Sequence, residues 1–323
     1  MSGSEQQTMV ALTGARAGTE TTQRSRGLPI ALRRERRAAW AFLTPALAFF
    51  AVFLVLPFGF AAVLAFSTWT GFDLSRIDFT GLHNFAEILS PRSTFVAPIL
   101  VNTLLFAIGA VAMATVGAII VAGCIDRLRF QGFWRAVYFL PVVATVVAIG
   151  NVWKMMYQPA GLINGLLNRL GVNSIGFLSD PDIALPSVAV VQAWASIGTA
   201  VLILTAGLKG IDQTYYEAAA LDGAGTFSTF LQITLPLLRP SLLFVLITQF
   251  IGGLQSFALI IVMTTDGGPI NSTNVAAFEM YQQAFKFGAW GTASAMAMVL
   301  FVIIFVITLI QLWIARLGGE ETS

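Results

Sequence analysis

The chain is poor in the groups that soluble enzymes use for chemistry. It has one cysteine, Cys124, and one histidine, His83. A single thiol excludes an internal disulfide and a cysteine-built metal site, and a single imidazole makes a histidine-rich site equally untenable. Charge is scarce too: 11% of the 323 residues are charged, against about 25% in an ordinary soluble domain. No Walker A loop is present, because Gly207-Leu208-Lys209-Gly210 lacks both the spacing and the Ser or Thr. ATP used by this protein must therefore be bound by another chain. The net charge of +2 excludes almost nothing.

What fills the sequence is apolar: 57% of residues are hydrophobic, gathered into six long stretches. They run Ala38 to Phe72, Ser93 to Ile125, Ala136 to Trp153, Ile183 to Leu208, Pro240 to Thr265 and Phe287 to Ala315. Each supplies the ~20 residues needed to cross a bilayer. Lipid offers backbone groups no partners, so the spans should be helical. The expected fold is an all-α polytopic membrane protein with six transmembrane helices, at about 40–66, 97–124, 136–156, 185–208, 241–264 and 290–315. The third is the shortest and borrows Arg135 or Lys154, whose heads snorkel to the interface. Thirteen basic residues fall on the side of the N-terminus and five on the other, which predicts cytoplasmic termini. The Arg-rich segment 1–37 reads as a disordered cytoplasmic tail, and 317–323 as a second, short one. The first stretch is too long for a cleaved signal and reads as an uncleaved helix.

Between the fourth and fifth spans, in the cytoplasmic loop 209–239, lies Tyr215-Tyr216-Glu217-Ala218-Ala219-Ala220-Leu221-Asp222-Gly223, followed by Ile233-Thr234-Leu235-Pro236. Asp212 can cap a helix reaching Ala220, and the three alanines favour it while adding little bulk. Gly223 supplies the freedom to end it. Thr226 is placed to cap a second helix with Phe227, Phe230 and Leu231 on one face, which Pro236 then interrupts. Tyr215 and Tyr216 offer the amphipathic contact area found at interfaces.

This run resembles the EAA loop of ABC importer permeases, where Glu-Ala-Ala, a Gly shortly after, and Ile-x-Leu-Pro form the coupling helix gripped by a separate ATPase subunit. The likeness extends over residues 38–316. Leu43-Thr44-Pro45-Ala46-Leu47 resembles the first helix of carbohydrate-type permeases, and Phe79-Thr80-Gly81-Leu82-His83-Asn84-Phe85 resembles their first outer segment. Thr265-Asp266-Gly267-Gly268-Pro269 resembles the outer loop before their last helix. The group is that of maltose, multiple-sugar and glycerol-3-phosphate permeases, in its compact six-helix form with the type I importer fold.

The resemblance implies a second homologous permease, two ATP-binding subunits that hold ATP and Mg²⁺, and an extracytoplasmic solute-binding protein. It further implies a bacterial inner membrane location and no cofactor on this chain. It assigns ATPase coupling to Tyr215, Tyr216, Glu217, Ala218, Ala219, Asp222, Gly223, Leu235 and Pro236, with Glu217 the ion-pair donor. Physically, Gly267-Gly268-Pro269 reads as a sharp turn.

Polar groups within spans are costly and mark pathways. Here they are Asn151 in the third span, Gln192 and Trp194 in the fourth, and Gln249, Gln255 and Ser256 in the fifth. Neutral hydrogen-bonding groups beside aromatic faces suit a sugar, whereas a phosphate calls for a basic residue. The same amides also serve as glue between helices. Gln255 and Ser256, mid-helix beside Gly252-Gly253, form the strongest pair. Cys124 reads as a small buried apolar group. A secondary transporter would need intramembrane charges or paired broken helices. A non-transporting scaffold leaves the Glu-Ala-Ala run unexplained. A membrane enzyme lacks acid–base and metal clusters.

Overall fold

A computed structural model of the chain describes residues 30–69, 71, 73, 77–125 and 130–317. It divides into two compact units at Gly59. The first is helical: α1 (Ile30–Phe50) is followed by a π-helical turn, Ala51–Val55. Helix is already formed at Ile30, where the sequence predicts a tail to residue 37. The part of that tail at 1–29 lies outside the described residues, as does the tail beyond 317.

The second unit begins within α2 (Leu56–Ala65) and continues through a small hairpin, β1 (Ser67–Thr68) with β2 (Asp78–Phe79), which sequence reading missed. Buried Asn84, on α3 (His83–Ile88), pins it by donating to the carbonyls of Ala65 and Ser67 at 3.0 and 2.9 Å. Then come α4 (Val101–Ile125), α5 (Gln131–Val143), α6 (Val146–Met156), α7 (Leu162–Arg169) and α8 (Pro181–Lys209). Beyond the loop that follows lie α12 (Arg239–Leu254), α13 (Ala258–Met263), α14 (Ala276–Tyr281) and α15 (Trp290–Leu317); the loop itself holds α9 to α11, given below.

Among the described residues, four helices are long and apolar enough to cross a membrane: Ala38–Ala65, Phe95–Cys124, Pro181–Lys209 and Trp290–Arg316. Two bent pairs raise the number to six if each counts as one span: Gly132–Val143 with Val146–Met156, and Thr226–Leu237 with Arg239–Leu254. The centre is the α4–α8 pair. Ala110, Ala114, Ala118 and Ala122 recur every fourth residue on α4 and are all buried. Such a small-residue face lets helix backbones approach, which is how packing replaces the hydrophobic effect in lipid.

The third and fifth spans are not the single helices that the sequence predicts. The third bends by 100° between α5 and α6. Ala144 is extended there, and Thr145 starts α6 by accepting from the Ala148 N–H at 3.3 Å. Pro141 and the β-branched run around Thr145 weaken continuous helix at this point. The fifth breaks between α12 and α13, so Gln255 and Ser256 stand at a discontinuity and not in mid-helix. The Gly252-Gly253 pair preceding it carries low helix propensity. Gly253 itself lies against α4, where an added Cβ would sit 3.2 Å from the Cα of Ala107.

One further expectation fails: Cys124 is exposed, on the outward face of α4. Lys154 is half-buried and donates to the Val262 carbonyl near the end of α13 at 3.2 Å. That choice satisfies a helix-terminal acceptor. The side chain of Arg135 lies outside the described residues.

Asn164 organises the connection between α6 and α8. Fully buried, it donates to the carbonyls of Gln158 and Ile175 at 3.1 and 3.0 Å and accepts from the Ile175 N–H at 2.8 Å. Asn164→Leu keeps the volume but orphans those backbone groups, a loss of about 2–4 kcal/mol. Its thermal midpoint in detergent should fall by several degrees; an unchanged midpoint would show that the hub is dispensable.

Candidate functional site

The loop after α8 is built from α9 (Gln213–Leu221), α10 (Thr226–Thr229), a π-helical turn at Phe230–Thr234 and α11 (Leu235–Leu237). Asp212 caps α9: its carboxylate accepts from the Thr214 N–H at 2.9 Å. Those hydrogen bonds from Thr214 hold its carboxyl below the usual carboxylate range, in a fully exposed setting. The cap is thus complete at neutral pH and is lost only as pH falls through that lowered value.

The other end of α9 closes with a paired pattern of bonds. The Gly223 N–H reaches the Ala220 carbonyl at 3.2 Å, and the Ala224 N–H reaches back to Ala219 at 2.9 Å. Gly223 has φ +71°, the left-handed conformation on which this ending depends. Thr226 is not the cap of the second helix. Gly225 occupies that position with no side-chain bond, and Thr226 is the first helical residue.

One bond ties the two limbs of the loop: Thr234 Oγ1 donates to the Tyr216 hydroxyl at 3.3 Å. Sequence reading missed Thr234, although it sits inside Ile-Thr-Leu-Pro. Ala219 is buried beneath α9, while Glu217, Ala218, Asp222 and Gly223 face outward. Tyr215, Leu221, Phe227 and Leu231 are exposed, Leu221 at 90% and Phe227 at 75%. Leu235 is half-buried and Pro236 exposed in the first turn of α11, where a missing N–H costs nothing. Beyond it the chain bends by 67° into α12.

The polar residues of the spans separate into groups. Ser256 Oγ donates to Gln192 Oε1 at 3.1 Å, joining the break in the fifth span to α8. Gln249 Nε2 donates to the Ser196 carbonyl at 3.0 Å, one turn farther along the same pair of helices. Trp194, 42% exposed, meets Trp153 edge-on with ring centres 5.5 Å apart. A cavity of about 200 Å³ beside Gln192 and Ser196 reaches Ala144, so both broken spans meet at this point. Gln255 is exposed and lines a different cavity. Asn151 is brought to none of them; it bonds back to its own helix at Val147, 2.9 Å away.

Past α13, Gly267 and Gly268 have φ of +86° and +80°. The Gly268 N–H reaches Thr265 at 2.9 Å and the Thr273 N–H reaches Gly267 at 2.8 Å, so the segment through Pro269 is a compact turn. Among the described residues no three His, Cys, Asp or Glu side chains gather where they could hold a metal.

Apolar helices of membrane-spanning length, with a capped helix in the loop before the fifth, define an α-helical membrane protein. The chain belongs to the family of binding-protein-dependent transport system inner membrane components, whose model matches residues 114–317. It is 33% identical over 298 residues to the diacetylchitobiose uptake permease NgcF of Streptomyces coelicolor, covering 88% of this chain and 84% of that one. It is 32% identical over 291 residues to the trehalose/maltose permease MalF of Thermococcus litoralis, covering 88% and 95%. Its fold matches a chain of a bacterial ABC transporter involved in the import of the acidic polysaccharide alginate, with TM-score 0.75, 21% identity and coverage of 88% and 98%. The fold is that of type I ABC importer permeases.

Proposed function

We propose that this chain is one transmembrane subunit of an ATP-driven importer for a neutral carbohydrate. The observation that carries the coupling role is the α9 helix: capped at Asp212, ended at Gly223, and presenting Glu217 beside exposed Tyr215 and Leu221. Exposed apolar side chains of this size, rimmed by a charge, are the composition of a protein interface. The partner is a pair of ATP-binding subunits, which hold ATP and Mg²⁺. They draw α9 and its counterpart on a second, homologous permease together, and the pathway then opens to the other side. A solute-binding protein delivers cargo at the hairpin end. The protein lies in a bacterial inner membrane with both termini cytoplasmic, an orientation supported by thirteen basic residues against five.

The carbohydrate reading draws on relatives named for diacetylchitobiose and trehalose/maltose uptake, and on neutral pathway groups: Gln192, Gln249, Gln255 and Ser256 with Trp194. Polyols and glycerol phosphates are the neighbouring solute classes. Lys154, just past the Asn151 position on α6, donates to the Val262 backbone carbonyl.

Reconstitution with the partner subunits tests the coupling. Glu217→Lys should leave assembly intact and reduce both uptake and binding-protein-stimulated ATP hydrolysis to background. Wild-type uptake by the assembled variant would sink this reading.

A further inference from the structure

We propose that Phe257, Tyr281, Phe285, Trp290 and Trp69 form a stacking track for a pyranose oligosaccharide, leading from the hairpin end of the bundle to the break in the fifth span. The proposal rests on the carbohydrate reading and adds the residues that guide the sugar.

The rings follow one another without a gap. Phe257 and Tyr281 are stacked with centres 5.9 Å apart, and Tyr281 is 5.2 Å from Phe285. Phe285 meets Trp290 edge-on at 5.0 Å, and Trp290 lies 5.9 Å from Trp69. They come from separate elements: the break itself, α14, the π-helical turn Gln282–Lys286, the start of α15 and the segment just past β1. Each ring touches the next, so the five form one connected series.

The line borders open space. A cavity of about 630 Å³ is lined by Phe257, Tyr281, Phe285 and Trp290 together with Gln255 and Ser294. Small-molecule sites fall between about 300 and 1,000 Å³ and combine apolar walls with a few polar groups. No charged residue is among its described lining residues. Phe285 is 67% exposed, and Phe257 and Tyr281 are 37% and 39% exposed, so ring faces are available. Trp69 has committed its indole N–H to the Asp73 carbonyl at 2.9 Å, which fixes the ring. Aromatic faces take the C–H side of a pyranose, while Gln255, Ser294 and the Tyr281 hydroxyl are available to its hydroxyls. Contacts spread over successive rings favour passage over capture, since no single position binds the sugar much better than the next.

The test uses the assembled transporter in proteoliposomes, with diacetylchitobiose, maltose and lactose as probes. If the wild type carries none of the three, the carbohydrate reading itself fails, and the track with it. If it carries one, Tyr281→Leu with Phe285→Leu, which keeps apolar bulk and removes the rings, should lower the maximal rate roughly 10-fold. ATP hydrolysis stimulated by the loaded binding protein should persist, and Tyr281→Phe with Phe285→Trp should transport normally. A wild-type rate in the leucine pair, or an equal loss in the aromatic pair, overturns the track. Should the leucine pair fail to assemble, Phe285→Cys in a Cys124→Ala background gives a second measurement. Maleimide labelling at position 285 should slow under saturating probe sugar, and labelling that the sugar leaves unchanged overturns the proposal.

Discussion

Gly223→Pro is expected to abolish uptake while the spans insert normally. Proline is held near φ −65° and has no N–H, whereas Gly223 sits at φ +71° and donates to the Ala220 carbonyl at 3.2 Å. The substitution therefore removes both the left-handed turn and the bond that close α9, and the next bond, Ala224 to Ala219, goes with them. Gly223 is exposed and an added Cβ would meet nothing within 4 Å, so the damage is confined to the backbone of the loop. That separates the outcome from misfolding. Gly223→Ala supplies the graded control: it keeps the N–H but pays about 1–2 kcal/mol for a left-handed residue, and should retain partial activity. The checks are uptake in vesicles and membrane yield on the same preparations. A proline variant that transports at the wild-type rate would show that the helix ending has no part in coupling.

The second large effect is expected from Gln192→Leu combined with Ser256→Ala. The Ser256–Gln192 bond spans α8 and the break in the fifth span, at the point where a small cavity reaches the elbow of the third. Helix breaks within a membrane persist where they line protein or water-filled space, because freed backbone groups need partners. Removing both side chains leaves an apolar wall with backbone groups behind it. Uptake should fall ~10- to 100-fold, the cost of withdrawing one or two hydrogen bonds from a desolvated solute. ATP hydrolysis driven through α9 should survive. Unchanged affinity and unchanged rate in the double variant would remove this pair from the pathway.

Sequence reading reached the fold class because composition and run length leave a lipid-embedded chain few alternatives. It reached the ends of α9 because capping is local: Asp212 and Gly223 act on backbone groups within a few residues. It misplaced the cap of the second helix for the same reason in reverse, since Thr226 and the adjoining Gly225 are both acceptable caps and only the backbone decides. The broken spans were harder to read. Hydropathy is blind to a bend, and Val142, Val143 and Thr145 are apolar or nearly so whether or not the helix continues through them. The Gly252-Gly253 pair, named only as the neighbour of Gln255 and Ser256, carries low helix propensity and so foretold the discontinuity two residues later. Cys124 failed on direction. Which way a side chain points from a uniformly apolar helix is set by packing between spans, and α4 offers no amphipathic stripe from which to infer it.

The single hydroxyl pair between Tyr216 and Thr234 has a mechanical meaning. It fastens α9 to a π-helical turn, the loosest of the helical forms, and the chain then swings by 67° into α12. On the proposed coupling, the arrangement would act as a crank with a compliant joint: a pull on α9 would reach the foot of α12 as torque through this bond.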